Sequence, residues 1–241
     1  PIIVLVINSF NKSKFGGVWS GFTLEWYMQL FKDKSIISSL YNTIIVATLA
    51  SVIATSIGTL ASIGINSMTS RYKSVMLNVS YISMINPDIV IGVSLLSFFS
   101  LFQFLKLGYV TLILAHITLC VPYVVFAVLP KLQQLNPNLS EAAQDLGATP
   151  TQTFFKVILP EIKPGIISGM IMSFTLSLDD FIISFFTTGA GISTLSIKVY
   201  SMTKRGVSPK INALTTLMLF VIIVLMVIIQ IRSTKSEKNR Y

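Results

Sequence analysis

Five long stretches with almost no charge constrain this chain more than any other feature of its sequence. They occupy residues 35–70, 74–105, 107–130, 165–197 and 211–231, and their only charged residues are Asp88, Asp179 and Asp180. A helix needs roughly 20 mainly apolar residues to cross the hydrocarbon core of a bilayer. Lipid offers no water to unpaired backbone groups, so such a segment crosses as a helix rather than as an open strand. We therefore expect five complete membrane-spanning helices.

The ten N-terminal residues are also apolar, but they are too short to span a membrane. We interpret them as the end of a first helix, because they show neither the positive region nor the small-residue cleavage site of a signal peptide. A remnant of a cleaved signal peptide is the alternative. The sequence thus predicts an all-α, polytopic membrane protein with six transmembrane helices, the first truncated, in a single transmembrane domain over residues 1–241.

The composition excludes a free soluble protein. Only 11% of the residues are charged and 53% are hydrophobic, whereas a soluble domain carries about a quarter charged residues. The net charge of +9 would ordinarily suggest nucleic acid or anionic lipid as a partner. Here the cations largely flank the apolar stretches, so we expect membrane lipid and no nucleic acid. Four cations within the last ten residues favour a cytoplasmic C-terminus.

The sequence lacks the residues needed for several kinds of metal, disulfide, nucleotide and catalytic sites. The single histidine, His116, excludes a multi-histidine metal cluster, and the single cysteine, Cys120, excludes an internal disulfide. The sequence contains no G-x-x-x-x-G-K-[ST] phosphate loop, no H-E-x-x-H motif and no nucleophile elbow. We therefore expect no metal, no cofactor and no catalytic residue, and we expect the energy for any activity to come from another polypeptide.

The long polar connection between the third and fourth stretches carries the signals of two short helices. The first helix is predicted to run from a capping box of Asn138 and Glu141 to a left-handed C-cap at Gly147. A second capping box follows, formed by Thr149 and Gln152 around a proline at the first helical position. This connection is therefore expected to be ordered.

The first of these short helices has an apolar face. Its members follow helical spacing and are Leu139, Ala142, Ala143 and Leu146. An amphipathic helix in the loop of a membrane protein needs something to cover its apolar side. Either a partner protein docks on this face, or the face lies on the lipid surface or beneath the chain's own bundle.

The same connection contains a recognisable motif. Its residues are Glu141-Ala142-Ala143, Gly147, Val157 and Leu159-Pro160. This spacing resembles the EAA loop of ABC importer permeases, in which isoleucine usually stands at the place of Val157. The resemblance implies a type I ABC importer permease fold, with a second homologous permease subunit as partner. It also implies that residues 131–163 form a cytoplasmic coupling loop.

The resemblance further implies that this loop docks on a pair of ATP-binding subunits. The residues that it assigns to docking are Glu141, Ala142, Ala143 and Gly147. A purely helix-capping role for Glu141 is the alternative, and the two roles are compatible.

A second resemblance concerns the cargo. It rests on Pro87-Asp88, His116, Ser173–Asp180, Tyr200–Met202 and Asn212–Leu214, which are similar to segments in permeases of polyamine (spermidine/putrescine) importers. It implies a permease subunit that forms half of a translocation pore in the bacterial cytoplasmic (inner) membrane. An extracytoplasmic polyamine-binding protein would deliver the polyamine substrate. The rival functions are an ABC permease for another solute and, less closely, an ion-gradient-driven secondary transporter.

The three acids within the apolar stretches are the candidate substrate-pathway residues. A carboxylate at the centre of a transmembrane helix costs roughly 2.5–3.5 kcal/mol on insertion scales, so Asp88, Asp179 and Asp180 should face protein or water. Consecutive helical residues point about 100° apart, so Asp179 and Asp180 should not share one direction. We hypothesise that these carboxylates replace water around the ammonium groups of a polyamine. The alternative is structural: acids that cap a helix broken after Pro87, or that pair with cations of a partner subunit.

His116 stands in the middle of an uncharged stretch. We expect a neutral imidazole that is hydrogen-bonded across helices. A proton relay is the alternative, because histidine changes charge near physiological pH.

Overall fold

The computed structural model of this chain describes residues 2–13, 18–102, 105–204, 209–221 and 223, most of which are helical. In chain order the helices are α1 (Ile2–Ser9), α2 (Glu25–Lys32), α3 (Lys34–Ser67), α4 (Ser70–Ile85), α5 (Asp88–Ser100), α6 (Tyr109–Gln133), α7 (Leu139–Asp145), α8 (Pro150–Thr153), α9 (Leu159–Asp179), α10 (Ile182–Thr187), α11 (Leu195–Lys204) and α12 (Pro209–Val221). Among the described residues, β structure is limited to an isolated bridge between Asn11 and Phe22. The predicted all-α class is confirmed.

Three helical segments are long and apolar enough to cross a membrane, namely Lys34–Ser67, Tyr109–Gln133 and Pro150–Asp179. The last of them joins α8 to α9 through a π-helical turn. A fourth candidate is the pair of α4 and α5, which are bent by 104° at a short break. Residues 224–231 of the last predicted stretch, and the C-terminal cations, lie outside the described residues. The count of six spans stays a prediction.

The expectation of one helix per apolar stretch is wrong for two of the five. The stretch 74–105 is divided between α4 and α5, because Pro87 has no amide proton and forces the preceding residue out of the helical region. The stretch 165–197 is divided after Asp179, where Asp180 adopts an extended backbone with ψ 126°. Both interruptions therefore coincide with intramembrane acids.

The chain forms two compact units. The first consists of residues 1–41 and 193–241, and the second of residues 42–192. Helix α3 contributes residues to both. The organisation of residues 1–241 as one transmembrane domain stays a prediction.

In the first unit, polar contacts surround a small apolar core. Trp26 is buried, and its indole N–H donates to the backbone carbonyl of Asn11 at 2.8 Å. Lys210 Nζ donates to Asp33 Oδ2 at 2.6 Å, and this hydrogen bond lowers the pKa of the Asp33 carboxyl. The second unit carries the predicted acids and the predicted coupling motif.

In the second unit, α6 packs closely against α3 and α9 because glycines stand at the crossings. A Cβ atom at Gly58 of α3 would lie 2.6 Å from Val124 Cβ on α6. A Cβ atom at Gly165 of α9 would lie 2.9 Å from the backbone carbonyl oxygen of Ala127. Small residues that allow such backbone approach are a recurrent device of membrane helix packing.

Candidate functional site

An open cavity of about 450 Å³ in the second unit brings the three predicted acids together. We call it the acidic cavity. Its lining residues are Asp88, Leu119, Tyr123, Thr175, Leu176, Asp179, Asp180, Phe181 and Ile182. Among these lining residues there is no lysine or arginine, so carboxylates supply all the formal charge on this part of its wall.

The break between α4 and α5 sets the position of Asp88. Asn86 and Pro87 are both extended, with ψ values of 136° and 135°, and α5 begins directly after them. Asp88 therefore occupies the first turn of α5 and is exposed. The positive end of a helix dipole favours a carboxylate at this position, which offsets part of the cost of holding it in an apolar stretch.

The break between α9 and α10 separates the two neighbouring acids. Asp179 is the last residue of α9 and is exposed, whereas the Asp180 side chain is only 5% exposed. Asp180 Oδ1 accepts the backbone N–H of Ile183 at 3.2 Å, and Oδ2 accepts that of Ser184 at 2.7 Å. The two carboxyl groups thus lie in different surroundings, as expected, but the reason is the end of α9 between them rather than the 100° step of a continuous helix.

His116 lies beside this second break. Its Nδ1 is 2.7 Å from Ser177 Oγ on α9, and its Nε2 is 3.0 Å from Ser184 Oγ on α10. The Nε2 atom is also 3.5 Å from Asp180 Oδ2. The expectation that His116 is hydrogen-bonded across helices is confirmed. Cys120, one turn further along α6, is fully buried and contacts the backbone carbonyl of Ser173 at 3.4 Å.

The two breaks lie side by side because α5 packs on α10. Gly92 permits this contact, since a Cβ atom there would lie 2.8 Å from Cδ2 of Phe186. The carboxylates at the two breaks consequently border one cavity, although they are about ninety residues apart in the sequence.

Sequence reasoning missed the neutral members of the site. Tyr123 lines the acidic cavity, and Ser177 and Ser184 bind His116. Tyr123 could have been found, because it stands two helical turns after His116 and therefore on the same side of α6. The serines carry no comparable signal, since their importance depends on a fold that brings α6 to the break.

The predicted docking residues of the coupling motif lie on α7 and the turn after it, whereas Val157 lies in the π-helical turn and Leu159-Pro160 begin α9. Gly147 has φ +85°, and the amide of Ala148 donates to the carbonyl of Ala143 at 3.1 Å, so the left-handed C-cap is confirmed. Glu141 and Ala142 are exposed and Ala143 is half-buried. These three residues lie in the middle of the seven-residue α7, and Gly147 lies two residues after its end.

One predicted cap is present and the other is wrong. Thr149 and Gln152 form the expected capping box, with hydrogen bonds of 3.3 and 3.0 Å. Asn138 makes no side-chain capping bond, because its backbone is already helical, at φ −80° and ψ −5°. Instead, the amide of Asn138 donates to Asn136 Oδ1 at 3.0 Å. The second short helix is also not separate, since α8 continues into α9.

The surface beside this motif is open. Leu146, predicted to belong to the apolar face of α7, is 91% exposed. Leu139 is half-buried and borders a second cavity of about 400 Å³ with residues of the π-helical turn and the start of α9. Within the described residues, therefore, the C-terminal end of the apolar face of α7 is not covered by this chain.

Comparison with known proteins gives concordant results. The family described as "Binding-protein-dependent transport system inner membrane component" matches residues 54–234. The spermidine/putrescine transport system permease protein PotC of Haemophilus influenzae is 38% identical over 237 residues, which cover 98% of this chain and 92% of the relative. The putrescine transport system permease protein PotI of Escherichia coli is 37% identical over 250 residues, which cover 100% of this chain and 88% of the relative.

A solved structure supports the fold. A chain of a bacterial ABC transporter that imports the acidic polysaccharide alginate superposes with a TM-score of 0.75 at 18% identity. The superposition covers 98% of this chain and 88% of that chain. The helices described above therefore have the arrangement of a type I ABC importer permease.

Proposed function

Because this chain belongs to the family of binding-protein-dependent transport system inner membrane components, we propose that it is the polyamine-conducting permease subunit of an ATP-driven importer. As a member of this family it is a multi-pass protein of the bacterial inner membrane. Two relatives that it matches over nearly its full length are named for spermidine and putrescine, or for putrescine. Spermidine and putrescine are flexible cations in which ammonium groups are joined by methylene chains.

The acidic cavity is the observation that carries the proposal. Asp88 and Asp179 offer exposed carboxylates to ammonium groups, and Leu119, Leu176 and Ile182 offer apolar surface to methylene groups. Tyr123 adds an aromatic ring, which attracts cations through its face. An anionic cargo would meet like charge at the same wall. An ABC permease for another solute is the alternative, and it would have to be for a cation or a neutral solute.

Affinity at such a site must stay modest, because cargo has to leave as well as enter. The half-site on this chain fits that requirement, since two exposed carboxylates are partly solvated and attract an ammonium group less strongly than a closed cage would. A second homologous permease subunit supplies the other half of the pore in our proposal. An extracytoplasmic binding protein delivers the polyamine.

The coupling motif gives the chain a place to receive energy. We propose that an ATP-binding subunit, one of a pair, docks on Glu141, Ala142, Ala143 and Gly147. The exposure of Leu146 supports this assignment, because it leaves the C-terminal end of the apolar face of α7 accessible to a partner. ATP hydrolysis belongs to those partners, and this chain is non-catalytic. A gradient-driven transporter would need neither this surface nor a binding protein.

The test is uptake of labelled spermidine by the whole transporter in proteoliposomes. Replacing Asp88 and Asp179 together with asparagine should reduce uptake by about tenfold for each lost charged contact, while the subunits still assemble. Glu25→Gln, which changes an exposed acid of the first unit in the same way, should have no effect. Undiminished uptake in the double variant, or no competition by unlabelled polyamines, would overturn the polyamine assignment.

The coupling assignment is tested in the same preparation. Gly147→Val should abolish ATP-driven uptake, because a β-branched residue resists φ +85° and displaces the docking surface. Gly191→Val is a matched control, since Gly191 has φ +87° and, like Gly147, has no atom within 4 Å of an added Cβ. Normal uptake and normal ATPase co-purification in the Gly147 variant would contradict the docking surface.

A further inference from the structure

We infer that His116 is a positioning residue for the cargo-facing carboxylate of Asp179. It acts through a buried clamp that holds α9 and α10 together across their break, and we call His116, Ser177 and Ser184 the His116 clamp. The inference rests on the proposed function, because it assigns a task within the acidic cavity.

The clamp joins three helices through one side chain. The imidazole comes from α6, Ser177 comes from the last turn of α9, and Ser184 comes from α10. The ring nitrogens lie 2.7 and 3.0 Å from the two hydroxyl oxygens. All three residues are buried, with exposures of 1%, 3% and 0%. A bond on each side of the break ties both helix ends to the same rigid ring.

The choice of serine on both sides suits a neutral imidazole. A neutral ring donates from one nitrogen and accepts at the other, and a hydroxyl can either donate or accept. The clamp is therefore satisfied in either tautomer, without a charge on the imidazole. This is the arrangement expected of a fixed structural joint rather than of a group that must change protonation.

The clamp also leaves Asp180 with a structural task. Its two carboxylate oxygens accept backbone amides at the start of α10, at 3.2 and 2.7 Å. Its own amide donates to the carbonyl of Leu176 on α9 at 3.1 Å. Asp180 thus binds both helices through its backbone and side chain, and its Oδ2 lies 3.5 Å from His116 Nε2.

Asp179 stands between these fixed points. Ser177 is two residues before it and Asp180 is one residue after it, and both are anchored. Only the Asp179 carboxyl group is exposed at this break. We therefore assign the cargo contact at this break to Asp179 and the positioning to His116 and Asp180.

The experiment uses the complete reconstituted transporter and compares KM with kcat for spermidine uptake. His116→Ala should raise KM by about tenfold with a smaller effect on kcat, because the carboxylate is displaced but the coupling surface is intact. His116→Gln, whose amide reaches the position of Nε2, should restore part of the affinity. Thr118→Val removes a hydroxyl of α6 that donates to the backbone carbonyl of Leu114 in the same helix, at 2.9 Å, and should leave KM unchanged.

The serines keep the test valid if His116→Ala fails to fold. Ser177→Ala and Ser184→Ala should each raise KM on their own, and the two together should raise it by less than the product of the single effects, since residues of one network are not additive. Fully additive effects, or an unchanged KM in all of these variants, would overturn the inference.

A second readout separates this inference from the polyamine proposal. In a Cys120→Ala background, the thiol introduced by Asp179→Cys is labelled with a cationic methanethiosulfonate reagent. His116→Ala should change the labelling rate several-fold, whereas Thr118→Val should not. A changed labelling rate, together with no spermidine uptake by the transporter that retains Asp179, would sink the polyamine assignment and keep the clamp. An unchanged rate together with an unchanged KM would overturn the clamp alone.

Discussion

The break between α4 and α5 and the break between α9 and α10 border the same cavity, but they are made in different ways. The first contains Pro87, which lacks an amide donor and keeps Asn86 extended, so the proline ring itself interrupts the helix. The second contains no proline or glycine between Leu176 and Ser184. It is held by the carboxylate of Asp180 and by His116.

This difference determines what each acid can do. At the first break no side-chain hydrogen bond caps the start of α5, and Asp88 is exposed and lines the acidic cavity. At the second break the structure uses one of two consecutive acids as a cap and leaves the other exposed. At the break held by side chains, one carboxylate accepts backbone amides and cannot bind cargo as well. At the break made by proline, the carboxylate remains exposed to the acidic cavity.

The largest loss of stability is expected from substitutions at the break between α9 and α10. Asp180→Ala should lower the stability of the solubilised transporter, because two backbone amides lose their acceptor and each unpaired buried group costs about 1–3 kcal/mol. Asp179→Ala is the matched control and should change stability little while reducing spermidine uptake. Thermal inactivation in detergent measures both. Equal losses of stability in the two variants would show that the neighbouring acids do not divide their tasks as described.

An intermediate effect is expected where the two breaks touch. Gly92→Leu should push α5 away from α10, since even a Cβ atom would lie 2.8 Å from the ring of Phe186, and overpacking of this kind costs about 1–3 kcal/mol. Spermidine uptake should also fall in this variant, because the displacement of α5 moves Asp88 relative to Asp179. Gly64→Leu on α3, where an added Cβ meets no atom within 4 Å, is the control. Normal uptake in the Gly92 variant would mean that the distance between the breaks is unimportant.

The smallest effect is expected at the first break. Pro87→Ala should cost about 0.4–1 kcal/mol, mainly by giving the unfolded chain more freedom, and should leave most of the uptake. Packing of α5 against α10 holds the bend after the proline is gone. A calorimetric or thermal-inactivation comparison with Asp180→Ala gives the ranking. A larger loss of stability in Pro87→Ala than in Asp180→Ala would contradict the proposed difference between the two breaks.

The same contrast explains how far sequence reasoning could reach. The possibility of a helix broken after Pro87 is readable from the sequence, because proline acts locally. The break after Asp179 is not, because one of the two groups that hold it is His116, more than sixty positions earlier, which only the packing of α6 on α9 brings there. The apolar window around 165–197 consequently predicts a longer helix than the one that ends at Asp179.

The coupling segment follows the same rule. Gly147 and the box of Thr149 and Gln152 were predictable, since each acts on its own turn. Asn138 was not, because the neighbouring Asn136 takes the role of turn acceptor and leaves Asn138 inside a helical backbone. The sequence suggested polyamine transport by its resemblance to known permeases. The neutral residues that line the acidic cavity could be identified only once the fold was known.

The helical segment from Pro150 to Asp179 begins three residues after Gly147 of the proposed docking surface and ends at the acid that we propose contacts the cargo. Thirty residues at 1.5 Å each give a rod of about 45 Å. A tilt of one degree about one end moves the other by about 0.8 Å for a rod of that length. In the proposed mechanism, a tilt of a few degrees at the docking end would therefore move the Asp179 carboxylate by a distance comparable to the width of an ammonium group.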